Sequence, residues 1–378
     1  MSSSAAAAGE TPTPPRTPRP ATGGAPEPAA SRPPASRRTL VVGAGAVGSF
    51  LGGLLATAGH DVTLVRIFEP DSNRPLDLVR PDSARVTLSM HRVTRTEDAP
   101  APDLILVAVR MPVLREALAP TLRWPDVPTL TVENGLGAEE TAMELRPRAP
   151  VIAASLTAPI SLASEDEVRW LGRGGIGLAA ATGSAGRLLA SLEGAFRAAG
   201  LRAAALPGWR AMKWSKLLAN LLGNASGAIL DMDPGSIYAD PRLFDIERRQ
   251  MLEALAVMGH LGIRPVRLPG AAVPWLVRGL RLPPAIGRPM LARVVGGARA
   301  GKAPSLRLHL QAAPPDGPAA ERTEAAWMNG AVAAAGERTG CPAPVNARLA
   351  ELVDEVAANP ERRRWLRGRP DRFLAAFD

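Results

Sequence analysis

The chain has 378 residues, 46% of them hydrophobic and only 4% aromatic, with a formal net charge of +9. Such a length suits two domains of ordinary size around a sizeable core, and no uninterrupted apolar run of about 18 residues marks a membrane span. Residues 1–38 and 361–378 each carry three net positive charges, so two-thirds of the excess sits at the ends; without aromatics to stack on bases, a solvated basic surface is a plainer reading than nucleic-acid binding.

Residues 1–37 are rich in Pro, Ala, Ser and Thr, contain no apolar core of a signal sequence, and are expected to form a disordered tail. At Thr39 the pattern changes. Thr39–Val42 reads as a short buried strand, followed by GAGAVG and an apolar helix to about Ala58 that Gly59 closes. Asp61–Val65 is a second strand, and Arg85–Leu88, Leu104–Val109, Thr129–Val132 and Val151–Ala154 are further ones. Strands alternating with helical stretches predict an α/β, Rossmann-type, doubly wound and mostly parallel sheet. Val168–Leu171 and Ile176–Ala180 flank a glycine-rich turn and read as a hairpin at its far edge. Beyond Leu206 strand signals stop. Helices are expected over Trp209–Ser226, Arg242–Leu261, a broken stretch near 271–297, Ala319–Glu337, Val345–Ala357 and a short Arg-rich end. The expected layout is a tail (1–37), a dinucleotide-binding domain (38–206) and an all-α C-terminal domain (207–378).

The run Gly43-Ala44-Gly45-Ala46-Val47-Gly48 has the G-x-G-x-x-G spacing. The first glycine permits the turn, the second admits a pyrophosphate to the backbone, and the third lets helix and strand approach. The helix N-terminus then offers N–H groups to the anion. A ligand-free glycine turn is the bland alternative, but the strand before and the helix after give the motif its context. Arg66 ends the second strand, where NAD enzymes usually carry an acid for the ribose hydroxyl; a guanidinium there favours NADP, while the nearby Glu69 keeps NAD open.

In KWSKLLANLLGNASGAIL, Lys216, Asn220 and Asn224 recur at i, i+4 and i+8 on a helix otherwise lined with leucine and alanine. Burying an ammonium and two amides is costly unless each finds partners, which points to a polar binding cavity, with a structural polar seam as the alternative. In AERTEAAWMNGAV, Glu324 shares a helical face with Trp327, Met328, Ala331 and Val332. A carboxylate on a packing stripe calls for a cation such as Lys216, or for a ligand; a solvated helix edge is the other reading. Cys341, the one cysteine, can form no internal disulfide, which fits a reducing, cytoplasmic setting, and the four histidines have no metal-ligand spacing.

In this order, VVGAGAVG, DLILVAVR, the ENGLG run, WSKLLANLLGN, PSL, RTEAAWMNG and GCPAPVNARLAELV resemble ketopantoate reductase (2-dehydropantoate 2-reductase), from about Arg38 to Ala358. The resemblance implies an NADPH-dependent reduction of a 2-oxo acid, the reductive step toward pantothenate. Lys216 would be the catalytic lysine and Glu324 the active-site glutamate. Asn134 would lie beside nicotinamide and substrate, Asn220 and Asn224 would line the substrate pocket, Ser305 would meet the substrate carboxylate, and Arg110 would stand near the cofactor phosphates. Pro234 departs from the family near a position where another Asn is common. A different keto acid or imine, and a non-catalytic NADP-binding sensor, are the competing readings. Retention of both Lys216 and Glu324 speaks against the sensor, since cofactor binding needs neither. A homodimer is compatible with the sequence, which does not determine the oligomeric state.

Overall fold

The computed structural model describes Met1 and residues 37–66, 74–298, 304–314 and 323–378. The expected tail, apart from its two ends, together with Glu69, lies outside the described residues.

Short β-branched and apolar runs form the strands β1 (Arg38–Val42), β2 (Asp61–Val65), β3 (Pro75–Val79), β4 (Arg85–Ser89), β5 (His91–Val93), β6 (Leu104–Val107), β7 (Thr129–Thr131), β8 (Val151–Leu156), β9 (Ile160–Ser164), β10 (Glu167–Trp170), β11 (Gly175–Ala180) and β12 (Arg202–Ala205). Eight of them make one sheet in the order β12-β11-β8-β7-β6-β1-β2-β5. Every neighbouring pair in it is parallel except β8 with β11. The order reverses beside β1: the chain leaves toward β2 and later returns to β6 on the other side. A crevice at such a switch point, beyond the carboxyl ends of the strands, is where open α/β sheets bind ligands. The helices α1 (Ala46–Thr57), α2 (Leu114–Leu118), α3 (Ala138–Leu145) and α4 (Gly186–Ala198) cover the sheet. Phe50, Leu51, Leu54, Leu192 and Phe196 fill the core on one face, and Leu114, Leu118, Ala138 and Ala142 that on the other.

Two expectations about strands do not hold. The segments read as a hairpin belong to different sheets: β11 lies inside the large sheet, whereas β10 pairs with β3 and β9 in a four-stranded sheet, order β4-β3-β10-β9. Burial decides it, because β11 is covered on both faces while β10 is only partly covered. Likewise Arg85–Leu88 falls in β4, antiparallel to β3, and not in the wound sheet.

From Trp209 onward the chain is helical: α5 (Trp209–Leu221), α6 (Ala225–Leu230), α7 (Pro234–Ala239), α8 (Pro241–His260), α9 (Val273–Arg281), α10 (Pro284–Ala298), α11 (Ser305–Gln311), α12 (Asn329–Thr339), α13 (Pro344–Ala358), α14 (Pro360–Leu366) and α15 (Pro370–Leu374). Leu217, Leu218 and Leu221 of α5 are buried, each removing apolar surface worth roughly 1.5–3 kcal/mol, and the helix packs on β8 and β11. The expected single helix over Trp209–Ser226 is broken at Leu222–Asn224, with Gly223 at φ +58°. The buried Glu247 takes up the groups freed there, accepting the Gly223 N–H at 2.8 Å and the Ser226 hydroxyl at 2.6 Å. Of the helix expected over Ala319–Glu337, residues 319–322 lie outside the described residues, and the described part is α-helical from Asn329. A 3₁₀ turn, Ala325–Trp327, precedes it, and Met328 has non-helical backbone angles. Among the described residues, no helix is long and apolar enough to cross a membrane.

Candidate active site

Gly43–Gly48 runs from the end of β1 into α1, lining the crevice. A Cβ on Gly43 would lie 2.6 Å from the Ala108 carbonyl oxygen, and one on Gly48 would lie 1.9 Å from the Gly43 carbonyl oxygen, so β1, β6 and α1 approach as closely as they do only with glycine at both positions. Gly45 is different. A Cβ there would meet nothing within 4 Å, which leaves open space above the backbone where a ligand can approach. Ala44 is buried, its N–H donating to the Val65 carbonyl, while Ala46 and Val47 form the half-buried first turn of α1. That glycine cradle and 12-residue helix are suited to a pyrophosphate. Arg66 follows β2, and its guanidinium donates to the Glu165 carbonyl at 2.7 Å.

Arg110 follows β6, its guanidinium 2.6 Å from His309 Nδ1 on α11. Burial and the charges of Arg110 and Arg363 hold His309 below the ordinary imidazole range, so the ring accepts that bond as a neutral base. Glu324 also reaches the β6 loop. Its Oε1 accepts the Met111 N–H at 3.4 Å, and burial raises its carboxyl above the usual range against the pull of Met111 and Arg110. Glu324 stands on the turn ahead of α12, not on a helical face as the spacing had suggested. The turn is held from behind. Thr323 donates to Asp354, and Asn329 donates to Gln250 and Asn346 inside a buried amide network.

The loop after β7 joins the two halves. Asn134 Oδ1 accepts from Asn220 Nδ2 at 3.0 Å, tying it to α5. The Leu136 N–H donates to the Trp327 carbonyl at 3.0 Å, tying it to the Glu324 turn. Gly135 is needed at that contact, because a Cβ there would lie 2.4 Å from the Trp327 carbonyl oxygen. The break after α5 turns Asn224 away from a continuous stripe, and the side chain meets α11 instead: Oδ1 accepts the Leu306 N–H at 3.2 Å and Nδ2 lies 3.3 Å from the Met328 sulfur. Ser305, the neighbour of Leu306, is exposed at the start of α11. Lys216 is half-buried on α5, one turn before Asn220.

Two groups escaped the sequence reading. The fully buried ammonium of α5 belongs to Lys213, only 2% exposed, not to Lys216. It donates to the Glu133 carbonyl at 2.7 Å and pairs with the buried Glu139 at 3.0 Å. Spacing could have flagged it, since Lys213, Lys216 and Asn220 fall at i, i+3 and i+7. Glu133 is buried too, its carboxyl accepting the Val132 N–H at 2.9 Å and the Val109 N–H at 3.3 Å. Burial pushes that carboxyl up to about 8, outweighing the attraction of Lys213, with Glu139 adding to the rise. Its place at the head of ENGLG carried no signal that the side chain turns inward. Among the described residues, no group of three His, Cys, Asp or Glu side chains could hold a metal ion.

The family model described as ketopantoate reductase PanE/ApbA matches residues 39–183, and that of its C-terminal region matches residues 208–357. A 2-dehydropantoate 2-reductase of Pyrococcus horikoshii is 29% identical over 233 residues, which cover 60% of this chain and 75% of that protein. A PanE/ApbA family ketopantoate reductase structure from Ralstonia eutropha JMP134 aligns with a TM-score of 0.69 at 23% identity, covering 86% of this chain and 99% of that one. A D-mandelate dehydrogenase with NADH and anilino(oxo)acetate also aligns with a TM-score of 0.69, at 19% identity, over 87% of this chain and 99% of that one. At such identities the two structures speak for the fold.

Proposed function

The chain belongs to the ketopantoate reductase family of oxidoreductases, and on that premise we propose that it reduces the ketone of a 2-oxo acid at the expense of NADPH, with 2-dehydropantoate as the substrate it fits best. The observation that carries this reading is the Asn220–Asn134 bond, which ties the polar face of α5 to the loop after β7, beyond the carboxyl end of that strand. In this reading residues 38–206 hold the dinucleotide and residues 207–378 supply the catalytic face.

Gly43–Gly48 would receive the pyrophosphate, with Arg66 at the end of β2 meeting a 2′-phosphate and Arg110 adding positive charge beside the crevice. The bound nicotinamide supplies the hydride. As the ketone is reduced, negative charge gathers on its oxygen. The Lys216 ammonium would stabilise that charge and give the oxygen its proton. Glu324, raised by burial, would hydrogen-bond the substrate and balance the nearby cations. Ser305 and Asn224, neighbours across the α6–α11 contact, would hold the carboxylate end, and Asn134 and Asn220 the hydroxyl and carbonyl end.

The test is NADPH oxidation, with NADH in parallel, against a panel of 2-oxo acids that includes 2-dehydropantoate. Turnover of 2-dehydropantoate with the higher kcat/KM for NADPH is expected. No turnover of any member would refute the reading. Preference for another 2-oxo acid would move the substrate assignment alone, and Pro234, which packs on Gly223 at the α5–α6 break, is where that difference would be sought.

A further inference from the structure

We propose that Lys213 is a positioning residue of this reductase: its buried bridge from Glu139 to the Glu133 carbonyl locks the α5 face bearing Lys216 and Asn220 onto the loop bearing Asn134. The inference rests on the reductase reading above. Its geometry is a double tie. Lys213 holds the main chain of residue 133 at 2.7 Å, and seven residues along the same face Asn220 holds the side chain of residue 134 at 3.0 Å. Lys216 lies between these anchors. Residue 133 is fixed at its other end as well, its carboxyl accepting the Val109 and Val132 amides. Glu139 is itself held, by the Thr131 hydroxyl at 2.9 Å, and it lies in the first turn of α3, where a negative charge suits the helix dipole.

Stability does not account for the pair. Taking two charges out of water costs as much as or more than their attraction returns, so an isolated buried ion pair is a poor substitute for apolar packing. This one is less than fully satisfied: Glu139 Oε2 has no hydrogen-bond partner among the described residues. What the bridge does supply is register. An ammonium held along two directions, by a hydrogen bond to one group and an ion pair with the other, fixes both the rotation of α5 and its height over the sheet, and the 133–137 loop it grips is also bonded, through Leu136, to the turn carrying Glu324. Lys216 and Glu324 thus take their places from one loop. A displacement of about 1 Å in such a group can cost on the order of 100-fold in rate.

The experiment replaces both charges in the full-length protein, Lys213→Met with Glu139→Gln, so that no carboxylate is stranded in the core. Circular dichroism and melting check the fold. NADPH affinity, kcat and KM on the best panel substrate, and amide hydrogen exchange at Leu136 are then compared with the parent. We expect a folded protein with NADPH Kd within about threefold, kcat lowered about 10- to 100-fold, and Leu136 exchange at least about tenfold faster. Adding Asn220→Ala should cost less than the product of the separate losses, since both anchors act on one loop. Unchanged kcat with unchanged Leu136 exchange, or losses that simply multiply, would overturn the proposal. If the double variant does not fold, Glu139→Asp decides instead: it keeps both charges but draws the carboxylate back, and it should move kcat and Leu136 exchange the same way, about three- to tenfold. If the parent reduces no 2-oxo acid, the reductase reading has failed, and the exchange arm alone judges the lock.

Discussion

In the proposed reading the Gly43–Gly48 loop and the polar face of α5 serve one site, yet they are made of different materials. On the loop the proposed binding groups are main-chain amides, and what matters about the side chains is that three of them are missing. On α5 they are an ammonium and an amide, Lys216 and Asn220, on a helix whose other faces are largely buried. A backbone site needs only the right local turn. A side-chain site needs its helix set at the right rotation, which here depends on Lys213, Asn134 and the Glu324 turn. The loop should therefore tolerate distant change and fail only through its glycines. The α5 face should be open to damage from residues that touch no ligand.

The largest effect should come from the α5 side. Lys216→Ala is expected to lower kcat by roughly 10²–10⁴-fold with NADPH Kd within about threefold, measured by steady-state oxidation and fluorescence titration. Loss of NADPH binding with kcat intact at saturating cofactor would erase the distinction between the two regions. The glycines sharpen it from the other side. Gly45→Ala meets open space, so its melting temperature should match the parent while NADPH affinity drops about tenfold or more. Gly48→Ala, with its Cβ 1.9 Å from the Gly43 carbonyl, should lower melting temperature and affinity together. Equal melting temperatures for the two variants would mean that the loop is softer than its contacts indicate.

Next in size is cofactor choice. Arg66→Ala should erode a preference for NADPH over NADH by about tenfold in Kd, a loss typical of one charge-assisted contact. Equal affinities in the parent would remove the premise. A separate effect, on stability and not on activity, concerns Glu133 and pH. Its carboxyl is raised from 4.5 to about 8, so the folded state holds a proton that the unfolded chain gives up. The native form is therefore favoured below about pH 4.5 and loses that advantage as pH climbs toward 8, by on the order of 3–5 kcal/mol at most. Glu133→Gln cannot titrate, so thermal melts at pH 5, 6.5 and 8 should show a shallower decline than the parent's. Parallel declines would show that Glu133 is ionised in the fold.

Much of the frame was legible because its signals are local. Glycine spacing, strand-length apolar runs and the end of strand signals after Leu206 depend on neighbours a few residues away. The misplaced elements fail where local pattern and tertiary context part. The β10–β11 segments look like a hairpin until their burial sends them to separate sheets, and the periodicity through Leu222–Asn224 reads as continuous helix until Glu247 captures the Gly223 amide.

From the sequence alone came the glycine loop between strand and helix, the wound sheet and the roll of polar residues on otherwise apolar helices, because backbone conformation and periodicity are written in short windows. Only the tertiary structure decided which of those residues meet. Asn220 finds Asn134 across 86 positions, Lys213 finds the Glu133 carbonyl across 80, and Glu324 reaches the Met111 amide across 213. A buried charge or amide must find a partner somewhere, and composition says that it will. Which partner it finds is a property of the packed chain, where elements far apart in sequence compete for the same few polar atoms.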